Sequence, residues 1–187
     1  VTLLYFVFSN DVIAQTCKPT LPQAFVNTTY ALPSGKTITV NSGGNLQAAI
    51  DQANLGDIIE LQAGATFTGN FILRKKTGSG WIYIRSSKES ALPAPGTRIT
   101  PTDAVNMAKV LSAGQVSAFA TVAGAYNYRL IGLEIGLPTS VNDQFTLVSF
   151  GSGSENKLSD LPNNLIIDRC YIHGNNTGNL KVGVALN

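Results

Sequence analysis

The chain runs Asn127-Tyr-Arg-Leu-Ile-Gly-Leu-Glu-Ile135 and then, in a near-copy, Asn164-Leu-Ile-Ile-Asp-Arg-Cys-Tyr-Ile172. The apolar positions that coincide on overlay are Leu130 with Ile167, Leu133 with Cys170, and Ile135 with Ile172. Self-similarity of this kind is the sequence signature of a solenoid. Each copy is too short to bury its own apolar face, so it must stack on a neighbouring copy.

The composition of the 187 residues supports a β-rich chain. Charged residues make up 13%, and 18 glycines suit many tight turns. The net charge of +2 is too small to indicate nucleic acid or an anionic membrane as a partner. The densest basic run, Arg74-Lys75-Lys76, is interpreted as a solvated strand end.

The first residues are interpreted as a targeting segment. Residues 1–14 combine a short apolar run with Val12-Ile13-Ala14, which has the spacing that a signal peptidase reads. We expect a signal-peptide remnant and a secreted protein, extracellular or periplasmic; the alternative is a buried first strand. The run is far below the roughly 20 residues of a membrane span, so no stable membrane insertion is expected. Cys17 and Cys170 are not expected to form a disulfide.

The rest of the chain divides into a lead-in, a helix and many short strands. Residues 15–44 form the lead-in, with one strand at Thr37–Val40. Apolar residues at helical spacing predict an amphipathic helix over Asn45–Ala53 that caps the stack. The further expected elements are strands at 58–61, 71–74, 81–85, 118–123, 128–135, 145–150, 165–172 and 182–186, a second short helix within 102–113, and a polar loop at 151–162. The solenoid domain spans 45–187, and we interpret its C-terminal coils as missing.

These stretches resemble the right-handed parallel β-helix of the pectin-lyase-like superfamily. The residues that carry the resemblance are Asn45–Phe71, with Gly-Asp-Ile-Ile-Glu-Leu-Gln-Ala-Gly after the helix, and the two repeats. The predicted fold is therefore an all-β, right-handed parallel β-helix with a short N-terminal capping α-helix. Resemblance to a fold does not settle function.

The resemblance implies chemistry on acidic polysaccharides. A pectate-lyase-like protein would hold Ca²⁺ with several carboxylates and would use an Arg or Lys as the base beside the sugar carboxylate. A polygalacturonase-like protein would need two aspartates that flank the bond. The sequence shows neither signature, so no metal ligands are predicted, and Ca²⁺ is expected only if the protein is lyase-like.

Two clusters of polar and aromatic residues are candidate sites. Alternation along the second repeat turns Tyr171 and His173 outward, and with Asp168 and Arg169 they form a candidate acid–base and sugar-contacting patch. His173 is the only histidine, and no acidic residue in register is evident to orient it. The alternative is an exposed strand end at a turn.

The second cluster is Trp81, Tyr83 and Arg85, which share one face of a strand if Ile82 and Ile84 point inward. Aromatic faces beside a guanidinium suit stacking on sugar rings. The alternative is packing beneath the loop Leu92–Gly96.

The sequence thus predicts a secreted, polysaccharide-active β-helix protein, pectate-lyase-like or related, and monomeric at full length. The alternative is a non-catalytic glycan-binding or adhesin-type surface solenoid. Because the required acidic groups are not in register, this stretch alone is expected to be inactive on pectin-type polymers. Asn27-Thr-Thr29 and Asn175-Asn-Thr177 match the glycosylation pattern.

Overall fold

The structure is a computed structural model that describes residues 29–186. Residues 1–14, Cys17 and the glycosylation pattern that begins at Asn27 fall outside the described residues. What the sequence predicts for them stays a prediction. No helix within 29–186 is long and apolar enough to cross a bilayer.

Three parallel sheets make up this part of the chain. Sheet A contains, in spatial order, β1 (Thr37–Val40), β2 (Ile58–Leu61), β5 (Ile82–Ser86), β8 (Tyr126–Ile131) and β11 (Asn163–Asp168). Sheet B contains β3 (Thr66–Gly69), β6 (Ala108–Ser112), β9 (Leu133–Gly136) and β12 (Tyr171–Ile172). Sheet C contains β4 (Phe71–Leu73), β7 (Phe119–Thr121), β10 (Asp143–Phe150) and β13 (Asn179–Leu186).

The chain visits the three sheets in turn and so forms coils. Strands β2, β3 and β4 make the first coil, β5 to β7 the second, β8 to β10 the third, and β11 to β13 the fourth. Each strand pairs with the matching strand of the next coil, which is the arrangement of a parallel β-helix. The predicted fold class is confirmed, and its right-handed form is the one that parallel crossovers adopt.

Apolar side chains stack inside the coils, as the two repeats predict. Backbone pairing places Ile59 beside Ile84, Ile84 beside Leu130, and Leu130 beside Ile167. The first three are fully buried, whereas Ile167 is partly buried and packs against the same core. The matches of Leu130 with Ile167 and of Ile135 with Ile172 are confirmed.

A single α-helix among the described residues, α1 (Leu46–Gln52), closes the first end of the stack. The Asn45 side chain accepts a hydrogen bond from Ala48 N at 2.9 Å and so caps the helix start. Leu46 and Ile50 are buried in the core, which confirms the predicted capping helix. Gln47 accepts a hydrogen bond from Ile72 N at 2.7 Å, and β4, which contains Ile72, is an edge strand of sheet C. The helix therefore occupies backbone groups that an edge strand would leave open.

The two long strands expected at 128–135 and 165–172 are each broken in two. Gly132, with φ 59°, separates β8 from β9, and Arg169, with φ 48°, separates β11 from β12. The two residues hold the same place in the two repeats, so the same left-handed corner turns the chain from sheet A to sheet B. Glycine suits this corner because it adopts a positive φ without steric cost, and a Cβ there would also force Leu92 Cδ1, 2.3 Å away, to move.

One other expectation was wrong, and one strand was not predicted. The helix expected within 102–113 is a 3₁₀-helix, Pro101–Asn106, followed by β6. In β6, buried and partly buried residues alternate, and this period of two is the pattern of a strand. The first coil also gains β3, which was not predicted, so the strand around residues 81–85 begins the second coil. The remaining 3₁₀-helices of the described residues are Glu89–Ala91 and, within the predicted polar loop, Leu158–Asp160.

The asparagines that head the repeats form a ladder. Asn164 Nδ2 donates to Asn127 Oδ1 at 2.9 Å, and Asn127 Nδ2 donates to the Gly80 carbonyl at 2.8 Å. Both asparagines have positive φ, 60° for Asn127 and 51° for Asn164. Asparagine tolerates this backbone conformation better than other residues with a side chain, so it serves both the turn and the ladder.

We expect Asn127→Gly to lower the free energy of unfolding by about 1–2 kcal/mol, because two side-chain hydrogen bonds are lost while the backbone conformation is still allowed. Asn127→Leu should lower it by roughly a further 1 kcal/mol, because leucine is strained at positive φ. Urea denaturation of both variants measures the difference. Equal stability of the leucine and glycine variants would contradict this account of the turn.

Candidate functional site

A row of polar and aromatic side chains crosses the outer face of sheet B. Backbone pairing places Thr66 beside Lys109, Lys109 beside Glu134, and Glu134 beside Tyr171. The adjacent residue Ile135 lies in the core, so alternation turns this row outward. Neighbouring strands lie about 4.8 Å apart, and the row therefore presents one side chain for each coil.

Glu134 is the centre of the row because two nitrogen donors converge on one of its oxygens. Lys109 Nζ lies 2.9 Å from Glu134 Oε1, and His173 Nε2 lies 3.0 Å from the same atom. The side chain of Glu134 is 10% exposed, compared with 40% for Lys109 and 31% for His173. The carboxylate thus forms the floor of the cluster, and its two partners reach toward solvent.

The imidazole of His173 is held on three sides. Its Nδ1 lies 2.6 Å from the Gly174 carbonyl oxygen, and its ring stacks on Tyr171 with centroids 4.3 Å apart. A Cβ at Gly136 would lie 3.2 Å from His173 Cε1, so the glycine leaves room for the ring. Both ring nitrogens face oxygen acceptors, and only the imidazolium form donates a hydrogen bond at both.

Sequence reasoning missed two members of this cluster, Lys109 and Glu134. The expectation that His173 lacks an acidic partner was wrong, because Glu134 supplies one from the preceding coil. The signal was available in the repeat: the overlay that matches Ile135 with Ile172 also places Glu134 on Tyr171 and Gly136 on His173. Lys109 could not be found in this way, because it lies in the segment that was predicted to be helical.

The patch expected around His173 is divided between two sheets. Tyr171 lies on β12 of sheet B and His173 directly follows that strand, whereas Asp168 ends β11 of sheet A and Arg169 forms the corner. Arg169 lies 3.1 Å from Asp168 and 2.9 Å from Glu89 in ion pairs, and its side chain is only 7% exposed. The structure therefore does not bring Asp168 and Arg169 together with His173; they tie the corner to the segment around Glu89.

The second predicted cluster lies on the outer face of sheet A and is largely covered. Tyr83 is 1% exposed, and its hydroxyl donates to the Ala31 carbonyl, so the lead-in crosses over it. Arg85 forms ion pairs with Glu60 at 2.9 Å and with Glu89 at 3.2 Å. Tyr83 is therefore not accessible to a sugar, and the alternative of packing applies, with the lead-in rather than Leu92–Gly96 as the cover.

Trp81 remains partly exposed at the start of this face. The guanidinium of Arg129 lies 5.6 Å from the Trp81 ring centroid and 5.2 Å from that of Tyr30. These cation–π contacts hold the lead-in against sheet A. The face is thus a packed junction between the lead-in and the coils.

The glycosylation pattern at Asn175 has a structural explanation. Asn175 Nδ2 donates to the carbonyls of Pro138 at 2.9 Å and Val141 at 2.8 Å, and its Oδ1 accepts from Gly178 N at 2.6 Å. The side-chain amide that would carry a glycan is thus occupied in the turn from sheet B to sheet C. Asn175 holds that turn together.

The thiol of Cys170 packs against the core, and burial raises its pKa to about 12, from an ordinary value near 9. An acid with a raised pKa in the folded state stabilises that state below its unfolded pKa, and this contribution is lost as the pH rises toward the folded value. We therefore expect the melting temperature to fall between pH 9 and pH 12, and to fall less steeply in Cys170→Ala. If the melting temperatures of the parent and Cys170→Ala fall equally steeply with pH, the effect does not come from Cys170.

The Ca²⁺ that the resemblance implies finds no fitting ligand set in the described residues. Within 29–186, no three His, Cys, Asp or Glu side chains converge to hold a metal ion. Glu134 is a single carboxylate with two nitrogen neighbours, whereas calcium takes six or more oxygen ligands.

No family model and no curated protein matches the chain. Among solved structures it is similar to an alginate lyase from Paenibacillus sp. str. FPU-7, with 21% identity and a TM-score of 0.46 over 73% of this chain and 44% of that one. It is also similar to a mutant of the PL6 family alginate lyase AlyGC, with 20% identity and a TM-score of 0.45 over 86% of this chain and 21% of that one. The chain thus spans less than half the length of either protein. At these values the similarity bears on neither substrate nor mechanism.

Proposed function

We propose that this chain belongs to a protein that binds an acidic polysaccharide and cleaves it by β-elimination on the outer face of sheet B. The observation that supports the proposal is the convergence of Lys109 and His173 on Glu134 beside the ring of Tyr171. The side chain of Lys109 is 40% exposed, and its ammonium presents a positive charge to a uronate carboxylate. The Tyr171 ring offers an aromatic surface to the sugar.

Elimination fits this cluster better than hydrolysis does. Glycoside hydrolysis in its usual form needs two carboxylic groups on either side of the bond, and Glu134 is the one carboxylate in the cluster. Elimination needs a cation at the sugar carboxylate, a base for the proton on the adjacent carbon, and an acid for the leaving oxygen. Lys109 supplies the cation, Glu134 the base and His173 the acid.

The hydrogen bond between Glu134 and His173 lets the two groups return to their starting protonation states after each reaction. Glu134 takes the proton from carbon, the electron pair of that C–H bond forms the double bond, and the bond to the leaving oxygen breaks. The imidazolium of His173 gives its proton to that oxygen. Glu134 then passes its proton to His173 across the 3.0 Å contact, which restores both groups. No co-reactant is needed.

The test is incubation of the protein with polygalacturonate and with alginate, two polyuronates, while the absorbance of unsaturated product is followed. We expect turnover that falls by about 10²–10⁴-fold in His173→Ala, the usual contribution of a general acid. Asp168→Asn is the matched control, because Asp168 lies on sheet A and Arg169 keeps Glu89 as a partner. Its turnover should equal that of the parent.

Inactivity was expected because the sequence shows neither a carboxylate cluster for Ca²⁺ nor a carboxylate pair in register. The elimination proposed here needs neither of these, and Glu134 supplies the acidic partner that His173 was expected to lack. Absence of product from both polymers, or equal turnover of the parent and His173→Ala, would contradict the proposal. Binding of a polyuronate without product would favour the alternative, a non-catalytic glycan-binding solenoid.

A further inference from the structure

A groove on the outer face of sheet C is separate from the cluster on sheet B. One cavity of about 600 Å³ lies between Gln115, Phe145 and Lys181, and a second of about 420 Å³ lies between Asn70, Ala120 and Phe145. The two cavities share Gln115, Gln144 and Phe145, so they are parts of one groove.

The groove runs along the axis of the coil stack. Asn70 belongs to the first coil, Ala120 to the second, Phe145 to the third and Lys181 to the fourth. Four coils at a spacing of about 4.8 Å give a length of roughly 15 Å. An elongated groove of this kind suits an extended polymer better than a compact small molecule.

Phe145 is the most prominent side chain of the groove. It is 64% exposed, which is unusual for a phenylalanine, and lies on β10 between the two cavities. The ammonium of Lys181 lies 4.5 Å from the centroid of its ring. Within the described residues no carboxylate lies within ion-pair distance of Lys181. A flat apolar ring next to an available positive charge complements a sugar ring that carries a carboxylate.

The walls of the groove add hydrogen-bonding groups. Asn179 Nδ2 donates to Asp143 Oδ1 at 3.1 Å, and both side chains are exposed at the rim. Gln144 also lines the groove, but it is only 6% exposed.

We propose that this groove is a second binding site for an acidic polysaccharide, with Phe145 as the stacking surface and Lys181 as the partner of a uronate carboxylate. The inference rests on the proposed function for the class of ligand only. It uses a different sheet, and none of its residues takes part in the elimination.

The test measures binding of galacturonate oligomers and of the monosaccharide to the whole chain by isothermal titration calorimetry. We expect longer oligomers to bind more tightly than the monosaccharide, and Phe145→Ala and Lys181→Gln each to weaken oligomer binding roughly tenfold. The matched controls are Leu158→Ala, whose side chain is 76% exposed on a loop, and Lys157→Gln beside it. Both should bind as the parent does.

The elimination on sheet B and the binding in the groove on sheet C are tested by different variants. His173→Ala should lose turnover and retain tight binding of oligomers through the groove. Unchanged oligomer affinity in both Phe145→Ala and Lys181→Gln would overturn the groove proposal, whatever the outcome for turnover. Equal weakening by the controls, or equal affinity for a neutral oligosaccharide, would also overturn it.

Discussion

Replacing Leu130 with aspartate is expected to lower the free energy of unfolding by on the order of 4–5 kcal/mol. Leu130 is fully buried in the third coil, between Ile84 and Ile167 of the neighbouring coils. A carboxylate there would have no partner and no water, and typical domains have a total stability of only about 5–15 kcal/mol. Urea denaturation followed by circular dichroism measures the loss.

The same change at two other positions tests the register. Ile167→Asp should cost less than Leu130→Asp, because Ile167 lies in the last described coil and is only partly buried. Phe145→Asp should cost little, because that side chain faces outward and is 64% exposed. If the three variants unfold at the same urea concentration, the assignment of inward and outward positions is wrong.

Replacing Ile50 with aspartate is expected to destabilise the capped end and to cause aggregation. Ile50 is a fully buried residue of α1 that faces the first coil, so a charge at this position would detach the helix from that coil. The hydrogen bonds from Gln47 to the backbone of Ile72 would be lost with it, and β4 would become an open edge. A loss of several kcal/mol is again expected.

Gln52→Asp is the matched control, because Gln52 lies exposed on the same helix. Size-exclusion chromatography with light scattering should show larger species for Ile50→Asp and the parental profile for Gln52→Asp. A monodisperse, parent-like profile for Ile50→Asp would show that α1 does not protect the edge.

The sequence predicted the stack well where two neighbouring coils have similar lengths. The sequences of the third and fourth coils are similar enough for Leu130 and Ile167 to be aligned without the structure. The earlier coils differ in the lengths of their turns, so β3 and β6 could not be placed by any fixed period. The corners between sheets A and B were not predicted either. Gly132 and Arg169 turn the chain through a positive φ, but each lies within a segment whose apolar spacing predicts one continuous strand.

The candidate site was only partly predictable for the same reason. Tyr171 and His173 were identified as outward residues, but their partner Glu134 comes from the preceding coil, and Lys109 from the coil before that. The burial of Tyr83 depends on a contact with Ala31, 52 residues earlier, which no local pattern reveals. Short-range alternation therefore predicts which side chains face outward, and only the assembled coils show which of them meet.

The central claim is that Glu134 and His173 act as one proton-transferring pair, and a double-mutant cycle on polyuronate turnover tests it most directly. Residues that act as a unit lose activity non-additively. We expect Glu134→Gln and His173→Ala each to reduce kcat/KM by about 10²-fold or more, and the double variant to be no worse than the more damaging single variant. Losses that multiply in the double variant would show that the two residues act independently and would contradict the claim.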